Sequence, residues 1–158
     1  MKKYLLTICV LLIVVACTGQ QKSSGLKMAG IDIPLDQMNK EIRLEPTLGM
    51  IDTFKFAGVL ELNLDNLSNN PVTLPPDFGV KIFMKQDATW IPIKNTFGYS
   101  NSANVLPPKK DYSWGDTVGV MPLMPSPPIS TTIRIIVLGN IEGTGQAVGA
   151  YIDIDLNQ

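Results

Sequence analysis

The chain has 158 residues, 13 Lys and Arg against 14 Asp and Glu, and a formal net charge of −1. That length suffices for one domain with its own core, and that balance leaves no basic footprint for nucleic acid. There is no histidine and there are two cysteines, Cys9 and Cys17, which excludes Ser-His-Asp and Cys-His catalysis, His-ligated zinc and a histidine pH switch.

Lys2 and Lys3 precede an almost wholly apolar run from Tyr4 to Val15. A cationic start followed by a short apolar run has the form of a secretory signal peptide. A run of about a dozen residues falls short of the ~20 that a spanning helix needs. The run ends in Val14-Val15-Ala16-Cys17, which resembles the lipobox of bacterial lipoproteins. The resemblance implies that the Cys17 thiol receives a diacylglyceryl group, that a peptidase cuts after Ala16, and that Cys9 is lost with the leader. The competing reading is an ordinary signal peptide with a chance cysteine. The implied organisation is a signal peptide over 1–16, a lipidated cysteine and tether over 17–30, and a β-sandwich domain over 31–158. The leader holds two lysines and no acid, so the mature chain would carry eleven bases against fourteen acids, a net charge of −3. With no polybasic patch, acyl chains would hold the membrane. With Cys9 in the leader and Cys17 lipidated, the domain has no disulfide and depends on its packing. Thr18 after the cysteine, in a diderm cell, resembles the outer-membrane class; in a monoderm cell the same anchor places the domain on the outer face of the plasma membrane.

Thr18 to Gly30 is rich in Gln, Ser, Gly and Lys and reads as a flexible tether, with a reach on the order of 20 Å. Between Ile31 and Met50 the signals conflict. Leu35, Met38 and Ile42 have helical spacing behind Pro34, while Ile42 and Leu44 alternate with charged residues. A short strand over Glu41–Glu45 preceded by a turn of helix is the preferred reading. From Thr53 to Asn66, Phe54, Phe56, Leu60, Leu62 and Leu64 alternate with polar residues, which is the period of a strand with one buried face. Gly58 interrupts that face and signals a bulge or bend. Asn66-Leu-Ser-Asn-Asn-Pro71 supplies turn chemistry.

Further along, Val72–Leu74 is a brief extended piece, and Gly79–Lys85 and Ala88–Ile93 form a hairpin around Gln86-Asp87. Asn95–Lys110 is loop-like. Thr117–Leu123 is a strand whose Pro122 predicts an edge position. Met121–Pro128 holds four prolines and reads as an extended connection. Thr131–Leu138 and Ala147–Leu156 alternate again, on either side of the glycine-rich turn Gly139–Gly145. About seven strands with turns between them and no long helical period predict an all-β fold, a single antiparallel sandwich. This succession, with "LELNLDNLSNNPV" in the place of an early core strand and its turn, resembles immunoglobulin-like domains of bacterial surface and periplasmic proteins. The cysteine pair and tyrosine corner of antibody domains are absent.

Most chemical motifs dissolve on their context. Gly143-Thr-Gly145 is followed by a strand, where a dinucleotide fingerprint needs a helix. Ser24-Gly-Leu-Lys27 matches an acylating motif but lies in the tether without its companions. Met121 and Met124 are soft ligands without a histidine beside them. Glu61, Asn63 and Asp65 share one strand face, and Asp153 and Asp155 another. If those strands are neighbours, their carboxylates converge as a Ca²⁺ site or an acid/base pair; otherwise they are the solvated faces of a sandwich. The aromatic residues Trp90, Tyr99, Tyr112 and Trp114 cluster around the polar stretch 95–116. Loops at the end of a sandwich carry binding function, and these rings suit a sugar or a protein partner; the alternative is that they cover the ends of the core. The leading functional reading is a membrane-anchored envelope lipoprotein with no enzymatic activity and no cofactor. It would bind or assemble with a protein or an envelope polysaccharide through those four residues and Met121–Pro128. A carboxylate-based hydrolase acting on an envelope polymer, and a structural spacer without a ligand, are the alternatives.

Overall fold

Leu60, Leu62 and Leu64 are fully buried, and Asn63 between them is exposed. This period of two builds the molecule throughout. In the computed structural model, residues 30–47, 58–109, 115–125 and 130–156 are described. The expected leader, Cys17, the expected tether through residue 29, residues 53–57 of the strand expected over Thr53–Asn66, Tyr112 and Trp114 lie outside them.

Nine strands stand among the described residues: β1 (Ile42–Pro46), β2 (Leu60–Asn66), β3 (Val72–Leu74), β4 (Lys81–Gln86), β5 (Thr89–Ile93), β6 (Asn104–Leu106), β7 (Asp116–Val120), β8 (Thr132–Ile141) and β9 (Ala147–Asp155). They form two antiparallel sheets. Sheet A has the order β1-β2-β7. Sheet B has the order β5-β4-β8-β3-β6, with β9 along the other edge of β8. The ten-residue β8 pairs β4 over its first half, through Ile133–Ile136, and β3 at its end, through Asn140 and Ile141. The protein is therefore an all-β antiparallel sandwich. Its main core lies between the sheets: Ile42, Leu44 and the three β2 leucines from one side, and Ile82, Ile133, Ile135, Val137, Val148 and Ala150 from the other.

The differences from the expected elements have local causes. β6 falls inside the stretch that reads as loop, because three residues before Pro107-Pro108 are too few to display a period. The hairpin turn is Asp87-Ala88, one residue later than the sequence indicates. Asp87 adopts φ 54° and Gln86 pairs with Thr89, since Asp tolerates the left-handed region. β8 runs through Gly139, which looks like the start of a turn. There the missing side chain serves close approach: a Cβ would lie 2.7 Å from Leu74 Cδ2 and 2.9 Å from the Thr73 carbonyl oxygen. Over the described residues 31–47 the mixed signals resolve into one 3-10 turn, Leu35–Gln37, followed by β1. Gly58 has φ 69° and stands at a bend just before β2.

The segment 31–39 is a strap across the outer face of sheet B. Met38 is buried against Phe83 and Ile136, with half-buried Ile31, Ile33, Leu35, Trp90, Leu138 and Tyr151 packed around them. Sheet B is thus covered on both faces, which explains why Phe83 and Ile136 are buried although they point away from the main core.

Candidate functional site

Arg134 is the one charged side chain within the apolar run of β8, and it is 9% exposed. Register places it beside Asp153 of β9. Its Nε donates to Asp153 Oδ1 at 2.6 Å and its Nη2 to Oδ2 at 2.5 Å, a bidentate pair. The guanidinium carbon lies 4.3 Å from the centroid of the Trp90 ring and 4.8 Å from that of Tyr151. Both distances are within the range of cation–π attraction. Trp90 is therefore a wall of this stack, in contact with the strap's apolar cluster. Asp155, two residues along β9, accepts a hydrogen bond from Thr132 Oγ1.

The strap ends at Asn39, which has φ 61°. Its backbone N–H donates to the Gly149 carbonyl at 2.9 Å. Its side-chain Nδ2 donates to the Tyr151 carbonyl at 3.1 Å, and its Oδ1 accepts the Tyr151 N–H at 2.8 Å. A single amide side chain thus occupies the edge of β9 in place of a neighbouring strand.

Tyr99 belongs to a different cluster, at the end of the sandwich. Its ring packs against Phe78 and Phe97, with centroids 5.8 and 5.2 Å away. Its hydroxyl donates to the Gly119 carbonyl at 2.5 Å and accepts from Asn95 Nδ2 at 2.9 Å. Burial pushes the phenol up to about 12, against the opposite pull of Asn95. Phe97 lies over Gly119, where a Cβ would come within 2.4 Å of its ring. Asn95 Oδ1 accepts from the N–H groups of Phe97 and Met121. The Thr96 N–H donates to the Met121 carbonyl and the Leu123 N–H to the Lys94 carbonyl. Residues 94–99 are thereby a clasp from sheet B to the edge of sheet A.

Of the four aromatic residues expected at one loop surface, the described two, Trp90 and Tyr99, stand in different clusters. Trp90 stacks on Arg134, Tyr99 closes the core, and Tyr112 and Trp114 lie outside the described residues. Met124 packs against the main core, while Leu123 beside it is 59% exposed.

The acidic faces do not converge either. Glu61, Asn63 and Asp65 are on β2 of sheet A, and Asp153 and Asp155 on β9 of sheet B. Asp65 is engaged by two cations: Lys109 Nζ, just after β6, approaches its Oδ2 to 2.5 Å, and Arg43 Nη2 of β1 approaches it to 3.2 Å. Burial alone would raise the Asp65 carboxyl, but hydrogen bonds and charge from Lys109 and Arg43 outweigh it and hold the group below the usual carboxylate value. Among the described residues, no three His, Cys, Asp or Glu side chains are grouped to hold a metal ion. A cleft of about 200 Å³ opens where β4 and β5 part, between Lys81, Ile82, Ile93 and Asn95. Small-molecule sites usually occupy ~300–1,000 Å³, and among the described residues Lys81 is the one ionisable side chain lining this cleft.

Sequence reasoning passes over Arg134, Asn39 and the Asp65–Lys109 pair. Arg134 carries a visible signal, a lone cation inside an apolar strand. Asn39 and Lys109 carry none, because their partners are 112 and 44 residues away.

No family model and no curated protein matches the chain. Among solved structures it is similar to the archaellum periplasmic stator protein FlaG from Sulfolobus acidocaldarius, with 16% identity and a TM-score of 0.35 over 70% of this chain and 97% of that one. It is also similar to the archaellum periplasmic stator complex of FlaF and FlaG from the same organism, with 15% identity and a TM-score of 0.33, over 79% of this chain and 100% of that one.

Proposed function

We propose that the protein is an envelope lipoprotein, held to a membrane by acyl groups on Cys17, whose β-sandwich is a non-enzymatic binding or assembly module for a protein or an envelope polysaccharide. The observation that carries this reading is the leader: Lys2-Lys3, a short apolar run, and Val14-Val15-Ala16 immediately before Cys17. The domain's chemistry supports it. Asp65, the buried carboxylate of β2, is neutralised by two cations, and Asp153 is tied to Arg134. The two acidic faces lie in different sheets, so the paired acid and base of a glycosidase-like hydrolase are not brought together by them. Trp90 and Tyr99 act in this reading as supports of the fold, which moves the search for a partner surface to Leu123 and to the segment carrying Tyr112 and Trp114.

Mass spectrometry of the protein extracted from cells tests the anchor. The expected mature N-terminus is Cys17 carrying a diacylglyceryl group, and Cys17→Ser is expected to remain a precursor that takes up no labelled fatty acid. An unmodified Cys17, or a mature chain that starts elsewhere, would overturn the reading.

A further inference from the structure

The strap is attached to sheet B unlike any strand. Ile31, Ile33 and Leu35 are half-buried and Met38 is buried, while Asp32, Pro34, Asp36 and Gln37 between them are exposed. Their floor, Phe83 and Ile136, belongs to a cluster separate from the main core, and the main core takes no residue from 31–39. Within the strap the backbone bonds itself: the Gln37 N–H donates to the Pro34 carbonyl and the Met38 N–H to the Leu35 carbonyl. Among the described residues, the hydrogen bonds that join the strap to the sheet are those of Asn39. Ordering the backbone of residues 31–39 therefore works against the burial of one whole side chain and parts of three others. Segments with few backbone bonds and few buried contacts open at a lower free energy than the whole domain.

Two further features suit such an opening. The floor is held from the sheet's own side, because Arg134, gripped by Asp153, lies against the rings of both Trp90 and Tyr151. The opening also has a fixed end, because the Glu41 carbonyl accepts the N–H groups of Leu67 and Ser68 and ties the chain to sheet A just past Asn39. We infer that residues 31–39 are a releasable latch, which leaves sheet B as one unit while both sheets stay folded. Release adds about 30 Å of extended chain to the segment that precedes the domain. In the lipoprotein proposed above that segment is the tether, so the latch sets how far the sandwich stands from the membrane. That consequence rests on the anchor reading, and the opening itself does not. The released state is a minor population, so strap and sheets still unfold together in the global transition.

Hydrogen exchange read by nuclear magnetic resonance tests the opening on the full-length chain in detergent, with or without lipid on Cys17. The Tyr151 N–H donates to Asn39 Oδ1, so its exchange reports the strap. The Ile152 N–H points the other way along the pleat, to β8, and reports the sheet. Relative to their unprotected rates, Tyr151 is expected to exchange about 100-fold faster than Ile152, with a smaller dependence on denaturant. Ile31→Ala, at the far end of the strap, is expected to speed Tyr151 exchange roughly ten-fold further, and Leu35→Ala to do the same. Equal protection and equal denaturant dependence at 151 and 152 would put the strap in the global unit and overturn the inference. Tyr151 exchange that ignores both substitutions would reduce the opening to fraying at Asn39, which overturns it as well. Should one substituted chain fail to fold, the other and the unsubstituted chain decide.

Discussion

Two polar residues of β2 show how much of the fold rests on single side chains. Asn66 is 1% exposed and its amide is fully used. Nδ2 donates to the carbonyls of Asn70 and Leu106, and Oδ1 accepts from the N–H and hydroxyl of Ser68. The side chain thereby builds the β2–β3 turn and ties it to β6. Asn66→Ala strands several buried groups, and the expected loss is about 2–3 kcal/mol, read from denaturant unfolding with an unchanged slope. Asp65 sets an acid limit. Its pKa is lowered on folding from the 3.8 of the unfolded chain. Its contribution to stability is therefore complete above 3.8 and is lost as pH falls through the lower folded value. Asp65→Asn should reduce stability at neutral pH and flatten the acid limb of a stability–pH curve. An unchanged limb would mean that Lys109 and Arg43 do not hold the charged form.

At the scale of elements, the edges of the sheets are blunted by proline. Pro46 ends β1, Pro92 lies within β5, Pro107 and Pro108 follow β6, and Pro122 follows β7. In β5 the two-residue turn and the alternation of the ladder direct the backbone of residues 90 and 92 away from β4. Proline at 92 thus removes an N–H from the open edge without a cost to the hairpin. Pro92→Val should leave the fold intact and increase self-association, seen as concentration-dependent light scattering. β9 is the edge without proline. The strap and Asn39 close it, with Asp153 and Asp155 adding charge. β1, β2, β4, β5 and β9 were legible in the sequence because each is long enough to show its period. β6 was not, and the outer-face burial of Phe83 and Ile136 was not, because a strand's own pattern does not tell what lies across its second face.

For the whole molecule, one continuous core joins both sheets, from Ile42 and Leu64 to Ile135 and Val148. The clasp at Asn95 and the strap at Asn39 each bind one sheet to the other. The domain should therefore unfold as one unit. Far-ultraviolet dichroism and tryptophan fluorescence are expected to give coincident transitions, although Trp90 lies outside the main core. With Trp114→Phe leaving Trp90 as the single tryptophan, an earlier fluorescence transition would mean that the strap and the Arg134 stack melt first.

Local chemistry in the sequence determined the all-β class and the Asn-rich turn. These depend on residue type and short-range period, which need no knowledge of neighbours. Tertiary structure alone decided that Trp90 belongs to Arg134 and Tyr99 to Gly119, that the acidic faces lie on separate sheets, and that residues 31–39 fold back as a strap. The physical reason is the same in each case. These outcomes depend on contacts between residues far apart in the chain, and burial, charge pairing and edge protection are settled when those residues meet.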